Sequence, residues 1–209
     1  MAEPLVQAPD LPELTPARLA DGDLDLSGAL VTGGSVRAGR VRIIETELRG
    51  VTIEAASAPG LTLIHVRLSD CGLSNVDGRE GIIRRVSALR CRLVGLDLNG
   101  GDISDLGVVD SSLELASFAG ARLRNVAFHG VNLTEASFQE ARLEGVEFID
   151  CELAGADFRR ARLSGATIRG SALTGVIGVE ALRGVRMPWS DVVASAGALA
   201  TALGIEIEE

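Results

Sequence analysis

Residues 116–175 repeat with a period of five. Phe118, Leu123, Phe128, Leu133, Phe138, Leu143, Phe148, Leu153, Phe158, Leu163, Ile168 and Leu173 are large and apolar. Two residues before each stands a small or β-branched one, from Ala116, Ala121 and Val126 through Cys151 to Ala166 and Ser171. Neither the 3.6-residue period of an α-helix nor the alternation of a flat strand matches this spacing. Five residues with two apolar positions make a short extended piece and then a corner. A longer period lies within the first: the Phe alternate with Leu, and both the large and the small positions recur every twenty residues. The simplest object with that pattern is a coil of four sides, one pentapeptide to a side, stacked on the next coil. Phe118, Phe138 and Phe158 then form one internal column and Phe128 and Phe148 the opposite one, with small residues in the corners of a narrow interior. Each coil buries its apolar side chains only against its neighbours, which is the logic of a solenoid. A helical reading would have to absorb Gly120, Gly130, Gly145, Gly155, Gly165, Gly170 and Gly175, each costing about 1 kcal/mol inside a helix.

The units Ala-Asp-Phe-Arg-Arg from Ala156, Ala-Arg-Leu-Ser-Gly from Ala161 and Val-Asn-Leu-Thr-Glu from Val131 resemble the A-(D/N)-L-x-x repeat of pentapeptide-repeat proteins. One unit would carry nothing; twelve in register do. The resemblance implies a right-handed quadrilateral β-helix, an all-β solenoid, and it alone supplies the handedness. It also implies a non-enzymatic protein-interaction or scaffold role. The best-known branch of that family confers quinolone resistance by mimicking DNA and binding type II topoisomerases. This makes DNA gyrase or topoisomerase IV, with quinolone or toxin protection, the alternative expectation.

The register of five runs back from Phe118 through Leu113, Val108, Ile103, Leu98 and Leu93 to Leu48 and Ile43. Ala58, Gly78 and Ala88 stand where large residues belong, and residues 55–60 are a candidate loop. Three segments follow: an extended Pro- and acid-rich arm over 1–25, the solenoid over 26–177, and a C-terminal helical cap over 178–209. Roughly seven and a half coils stacked at about 4.8 Å make a rod roughly 35 Å long. In the last segment, residues 179–182 read as one helical turn. Ser190 reads as an N-cap, and Val192, Ala196, Leu199 and Leu203 follow at helical spacing to a stop at Gly204. With Trp189, that face is expected either to close the open end of the solenoid or to form a homodimer, as C-terminal segments do in some members of the family.

Composition limits the chemistry. All 20 basic residues are Arg, which removes the lysine of P-loops, Schiff bases and Ser-x-x-Lys nucleophiles. Cys71, Cys91 and Cys151 occupy the small inward position on one side, without a C-x-x-C motif, and read as buried reduced thiols. Cys71 and Cys91 are one coil apart, a spacing that distance alone leaves open to a disulfide. Asp21-x-Asp23-x-Asp25 opens like a calcium loop, but Leu26 replaces its Gly and Thr32 its terminal Glu. His65 and His129 fall outward on different sides, about three coils apart. Asp102 with Asp105 and Glu144 with Glu147 are carboxylate pairs on an outer wall with Arg nearby. The expectation is therefore no catalytic, cofactor or metal site, in a coil without a cleft. No signal sequence or membrane-length apolar run occurs, so the expected location is cytoplasmic.

Charge is distributed unevenly along the chain. Of the formal net −9, residues 36–175 hold only −1 (17 Arg against 18 acids), residues 1–35 hold −5 and residues 176–209 hold −3. By side, Glu54, Arg92, Glu114, Glu135 and Glu152 make one of −3. The side of Arg84, Arg85, Arg122, Arg124, Arg142 and Arg162 carries +3. Stacked Arg122, Arg142 and Arg162 repel unless Glu144 and Asp102 interleave or an anionic partner binds. A third candidate surface is apolar: Leu89, Val109 and Ile149 share one outward column, Val94 and Leu115 a neighbouring one. With no aromatic residues outside to stack on bases, direct nucleic-acid binding is not expected.

Overall fold

The computed structural model describes residues 6–55 and 58–206, and within them the chain is one parallel-stranded β-solenoid of about 7 turns. Five eight-residue strands form its regular part: β6 (Thr62–Ser69), β7 (Ile82–Leu89), β8 (Asp102–Val109), β9 (Arg122–His129) and β10 (Arg142–Ile149). They pair in parallel with a constant offset of twenty residues. The last turn continues as β11 (Arg162–Ser164) and β12 (Thr167–Arg169), both on β10. Each long strand covers two sides, here called one and two, and bends at its middle residue. Sides three and four are linked by single bridges, such as Ser112 to Asn132 to Glu152 and Ser117 to Ser137 to Asp157.

Every fifth residue takes a left-handed backbone at these bends. His65, Arg85, Asp105 and Asn125 have φ of 54°, 51°, 53° and 54°, and the glycines of the sequence pattern fill equivalent corners, such as Gly145 at 62° and Gly155 at 66°. A corner needs φ above zero, which Gly adopts freely and Asn or Asp with little cost. This is why glycine appears at five-residue multiples in a chain that is not helical.

The interior is one continuous apolar core. Phe118, Phe138 and Phe158 stack with centroids 5.1 and 4.9 Å apart and planes within 5°. Phe128 and Phe148 stack opposite at 5.3 Å. The two columns also meet edge to face, at 5.7 to 6.5 Å. Below the Phe the filling is thinner. An apolar cavity of about 30 Å³ lies among Leu68, Ala88, Val108, Leu93 and Phe118. Ala88 sits in register between Leu68 and Val108. Ala88→Val is therefore expected to stabilise the protein by about 0.5–1 kcal/mol, measured as a higher urea midpoint at unchanged slope. A lower midpoint would show that the space is not fillable from that position.

Three features differ from the sequence expectation. The twenty-residue turn holds only from Arg42 onward. There β4 (Ser35–Arg49) pairs with β6, Arg42 opposite Thr62, but its earlier part pairs with β5 (Thr52–Ala55) at seventeen, Ser35 opposite Thr52. The strands β2 (Gly22–Ser27) and β3 (Ala29–Thr32) also meet β4 at seventeen, Leu26 opposite Ile43 and Val31 opposite Leu48. β1 (Thr15–Pro16) meets β3 at fourteen, Thr15 opposite Ala29. Turns shorten toward the N-terminus, and pairing starts ahead of residue 26. Second, the candidate loop over 55–60 lies partly outside the described residues, at 56 and 57. Ala58 is buried and its N–H donates to Asp77 O at 2.9 Å, and Gly60 N–H to Arg79 O at 2.7 Å, so the turn keeps its register there.

Third, the C-terminal helix is two helices, α1 (Trp189–Ala194) and α2 (Ala196–Ala202), after a 3₁₀ turn at Val179–Leu182. Pro188, not Ser190, occupies the N-cap of α1.

Candidate interaction surfaces

The Arg122, Arg142 and Arg162 positions lie in one column of side one, held in register by β9, β10 and β11. All three are exposed, and none makes an ion pair within 4 Å among the described residues. The interleaving expected of Asp102 and Glu144 is absent. Asp102, adjacent to Arg122 in the register, instead joins Arg84 at 3.1 Å and Arg124 at 3.0 Å. Hydrogen bonding from Arg84 outweighs partial burial and, with Arg124, holds the Asp102 carboxyl below the usual carboxylate range. Glu140 pairs with Arg160 across one turn. Parallel register stacks like charges about 4.8 Å apart; Asp102 and Glu140 are already engaged, and Glu144 makes no ion pair among the described residues. Along the same edge runs a trough. One hollow of about 590 Å³ is lined by Gly100, Gly101, Gly120 and Ala121 beside Arg122 and Arg142, with the carboxylates of Asp102 and Glu140, both paired with other arginines, at its border. It continues into another of about 360 Å³ among Glu140, Arg142, Arg160 and Arg162. Arg160 and Glu140 were not among the sequence candidates, although their twenty-residue separation marks them as stacked.

On side three, Glu114 is half-buried and Glu135 and Glu152 are exposed. They occupy three different columns and make no ion pair among the described residues, although Glu152 Oε1 accepts the Ala154 N–H at 3.0 Å. Val109 and Ile149 are half-buried on side two, in one column with His129 between them. His129 differs from the solvated imidazole expected: its Nε2 is buried and has no hydrogen-bond partner among the described residues, with Glu147 Oε2 at 3.9 Å. His65 stands at an outer corner with Arg85 Nη1 3.4 Å away.

The remaining candidate groups are structural. Asp21 and Asp23 accept the backbone N–H of Arg37 and Arg40, at 2.9 and 3.1 Å, and Asp25 meets Arg42 Nη1 at 3.0 Å. Each clamps one turn to the next. The three cysteines are buried and free. Cys151 donates to the carbonyls of Phe128 and Ile149, and burial pushes its thiol up to about 11. Contact with Cys71, reinforced by burial, also raises the Cys91 thiol.

At the C-terminal end, Leu199 packs against the core and Val192 is half-buried, but Trp189 is 78% and Leu203 62% exposed, and Ala196 is exposed too. The end is covered instead by the segment ahead of the helices: Val179, Leu182, Val185 and Met187. Arg186 donates to Ala166 O and accepts from Ile168 N–H, both at 3.0 Å. Asp191 Oδ2 accepts the Gly170 N–H at 2.6 Å, which ties α1 to the last turn. The outer side of the helical pair, with Trp189, Val193 and Leu203, is left apolar and open.

A parallel coil with filled interior, left-handed corners and five-residue sides defines a class of repeat protein. Residues 111–148 and 141–177 match the family model for pentapeptide repeats, in 8 copies, so this stretch of the coil carries that repeat. No curated protein matches the chain. Among solved structures it is similar to HetL, a pentapeptide repeat protein involved in heterocyst differentiation regulation from the cyanobacterium Nostoc sp. strain PCC 7120. Identity there is 20%, over 80% of this chain and 91% of that one, with a TM-score of 0.47. A trypsin-treated variant of QnrB1, a plasmid-mediated fluoroquinolone resistance protein, matches at 20% identity over 90% of this chain and 99% of that one, TM-score 0.43. Rfr23, from the cyanobacterium Cyanothece 51142, matches at 20% over 52% and 60%, TM-score 0.21. No partner follows from likenesses at this level.

Proposed function

We propose that this chain is a non-enzymatic interaction module of the cytoplasm, which presents the Arg122–Arg142–Arg162 trough to an acidic surface of a protein partner. The observation that carries the reading is the unpaired arginine column. Three guanidiniums fixed in register on a rigid wall repel one another, and an incoming carboxylate relieves that repulsion while gaining forked, charge-assisted hydrogen bonds. The rod needs no rearrangement to offer them. Its glycine floor lets a partner backbone approach closely.

A second reading rests on side three, where Glu114, Glu135 and Glu152 are not neutralised. In that reading the chain is a DNA-mimicking modulator of a type II topoisomerase. One pair of variants separates the two. Partners cross-linked to the wild type in lysate of the source cell are expected to be lost with Arg122→Glu, Arg142→Glu and Arg162→Glu together. They should be kept with Glu114→Arg, Glu135→Arg and Glu152→Arg. The reverse result, with wild-type inhibition of gyrase supercoiling that the acidic-side variant abolishes, would replace the first reading by the second. The exposed helical face of Trp189 and Leu203 suits a C-terminal homodimer, and the column and trough are complete within a monomer.

A further inference from the structure

The segment ahead of the first turn runs back along side two, against the direction in which the turns are stacked. At the turn of Arg67, the Arg67 Nε–H donates to the Pro9 carbonyl at 2.8 Å. Two turns further on, a Cβ placed on Gly107 would meet the Val6 carbonyl oxygen at 3.4 Å and the Val6 Cβ at 3.6 Å. Pro9 is buried. So is Gly107, although it points away from the core, between Leu106 and Val108, which point into it. The floor beneath the segment is small in three successive turns, Ser87, Gly107 and Ala127. On one flank Arg85, Asp105 and Asn125 enclose with Val6, Gln7 and Pro9 a hollow of about 250 Å³. On the other runs the column of Leu89, Val109 and His129. In the turn beyond Gly107, Ala127 is 2% exposed and the buried His129 Nε2 has no partner among the described residues.

We propose that side two, from Arg67 to His129, is a docking groove for an extended polypeptide segment of the aliphatic-x-x-proline type. Residues 6–9 are its built-in occupant, a strap that a partner segment of the same chemistry displaces. The groove recognises backbone. A Cβ at 107 would already be in van der Waals contact with Val6, so a side chain reaching beyond Cβ would hold the chain off the floor, and a proline at the Arg67 turn supplies a carbonyl without an N–H left to satisfy. The strap adds nothing to the solenoid interior, which begins at Ala17, Leu19 and Leu24. Its release therefore leaves the interior packing in place and gives up the Arg67–Pro9 hydrogen bond and the cover over Gly107, as expected of a segment from the low-stability end of a structure. The groove lies on a different side from the arginine trough and stands or falls independently of it.

The test uses the full chain with the strap replaced (Val6→Gly, Gln7→Ser, Ala8→Gly, Pro9→Ser), its fold checked by circular dichroism. The probe is a fluorescein-labelled peptide of residues 4–14, followed by anisotropy. Saturable binding to the replaced chain is expected, with binding to the wild type at least about ten-fold weaker because the tethered strap competes at millimolar effective concentration. In the replaced background Arg67→Ala should weaken binding by about five-fold and Gly107→Leu should abolish it. The proposal is overturned by no binding up to about 1 mM, by equal binding to the wild type, by indifference to Gly107→Leu, or by equal binding of a scrambled peptide.

Discussion

Phe138→Ala is expected to destabilise the protein by about 3–5 kcal/mol. Phe138 is fully buried and lies between two parallel rings, Phe118 and Phe158, with the edges of Phe128 and Phe148 against it. Truncation removes the transfer free energy of one ring and four aromatic contacts at once, each worth about 0.5–1.5 kcal/mol beyond area. The surrounding walls are hydrogen-bonded ladders that cannot move in to close the gap, so the loss belongs at the upper end of the range. Arg142→Ala, four residues on but outward and unpaired, should change stability by less than about 1 kcal/mol. Urea unfolding of the two variants decides the matter. Equal losses would mean that inside and outside are exchanged.

The Phe columns were legible in the sequence because packing in a solenoid is nearly one-dimensional: residue i meets residues i−20 and i+20, and a repeated letter is a repeated contact. The same regularity made Arg122, Arg142 and Arg162 visible as a column. What failed was whatever breaks the translation. Near the N-terminus, Ile43 still reads in fives, but the turns there close in seventeen and fourteen residues. Corners at Gly28, Gly33 and Gly34 with φ of 61°, 67° and 104° permit this, and no apolar spacing records it. The ion pairing of Asp102 with Arg84 and Arg124, rather than Arg122, depends on rotamers. The strap was illegible for another reason, since Val6 and Gly107 are about a hundred residues apart and share no repeat. Its signal was faint but present: Ser87, Gly107 and Ala127 are small residues at twenty-residue spacing on an outer wall. The cap was misplaced because helical spacing marks Trp189, Val192, Ala196, Leu199 and Leu203 as one face, whereas the shorter segment from Val179 to Met187 lies nearer the open turn.

That placement dictates where truncation hurts. A chain ended after Ile177 loses Val179, Leu182, Val185 and Met187, the hydrogen bond that Arg186 donates to Ala166 and the one it accepts from Ile168. It leaves bare the last turn, with the apolar side chains of Leu173, Val176 and Ile168 and a row of unpaired backbone groups. Such an edge is a template for end-to-end pairing, and repeat arrays need a polar-faced cap for solubility. The chain leaves the coil through Gly178, at φ 77°, where a Cβ would collide with the Arg159 backbone nitrogen. Only glycine lets the cover fold back so tightly. The chain ended after Ile177 is therefore expected to keep β-rich circular dichroism but to associate, its scattering mass rising with concentration. A chain ended after Met187 keeps that cover and loses Leu199 together with the exposed Trp189, Val193 and Leu203, and should remain as small as a monomer. If both truncations stay monomeric, the Val179–Met187 segment covers nothing that matters. If the full chain is a dimer and ending it after Met187 yields a monomer, the outer face of α1 and α2 is the dimer contact, and the two roles of the C-terminal segment divide at Pro188.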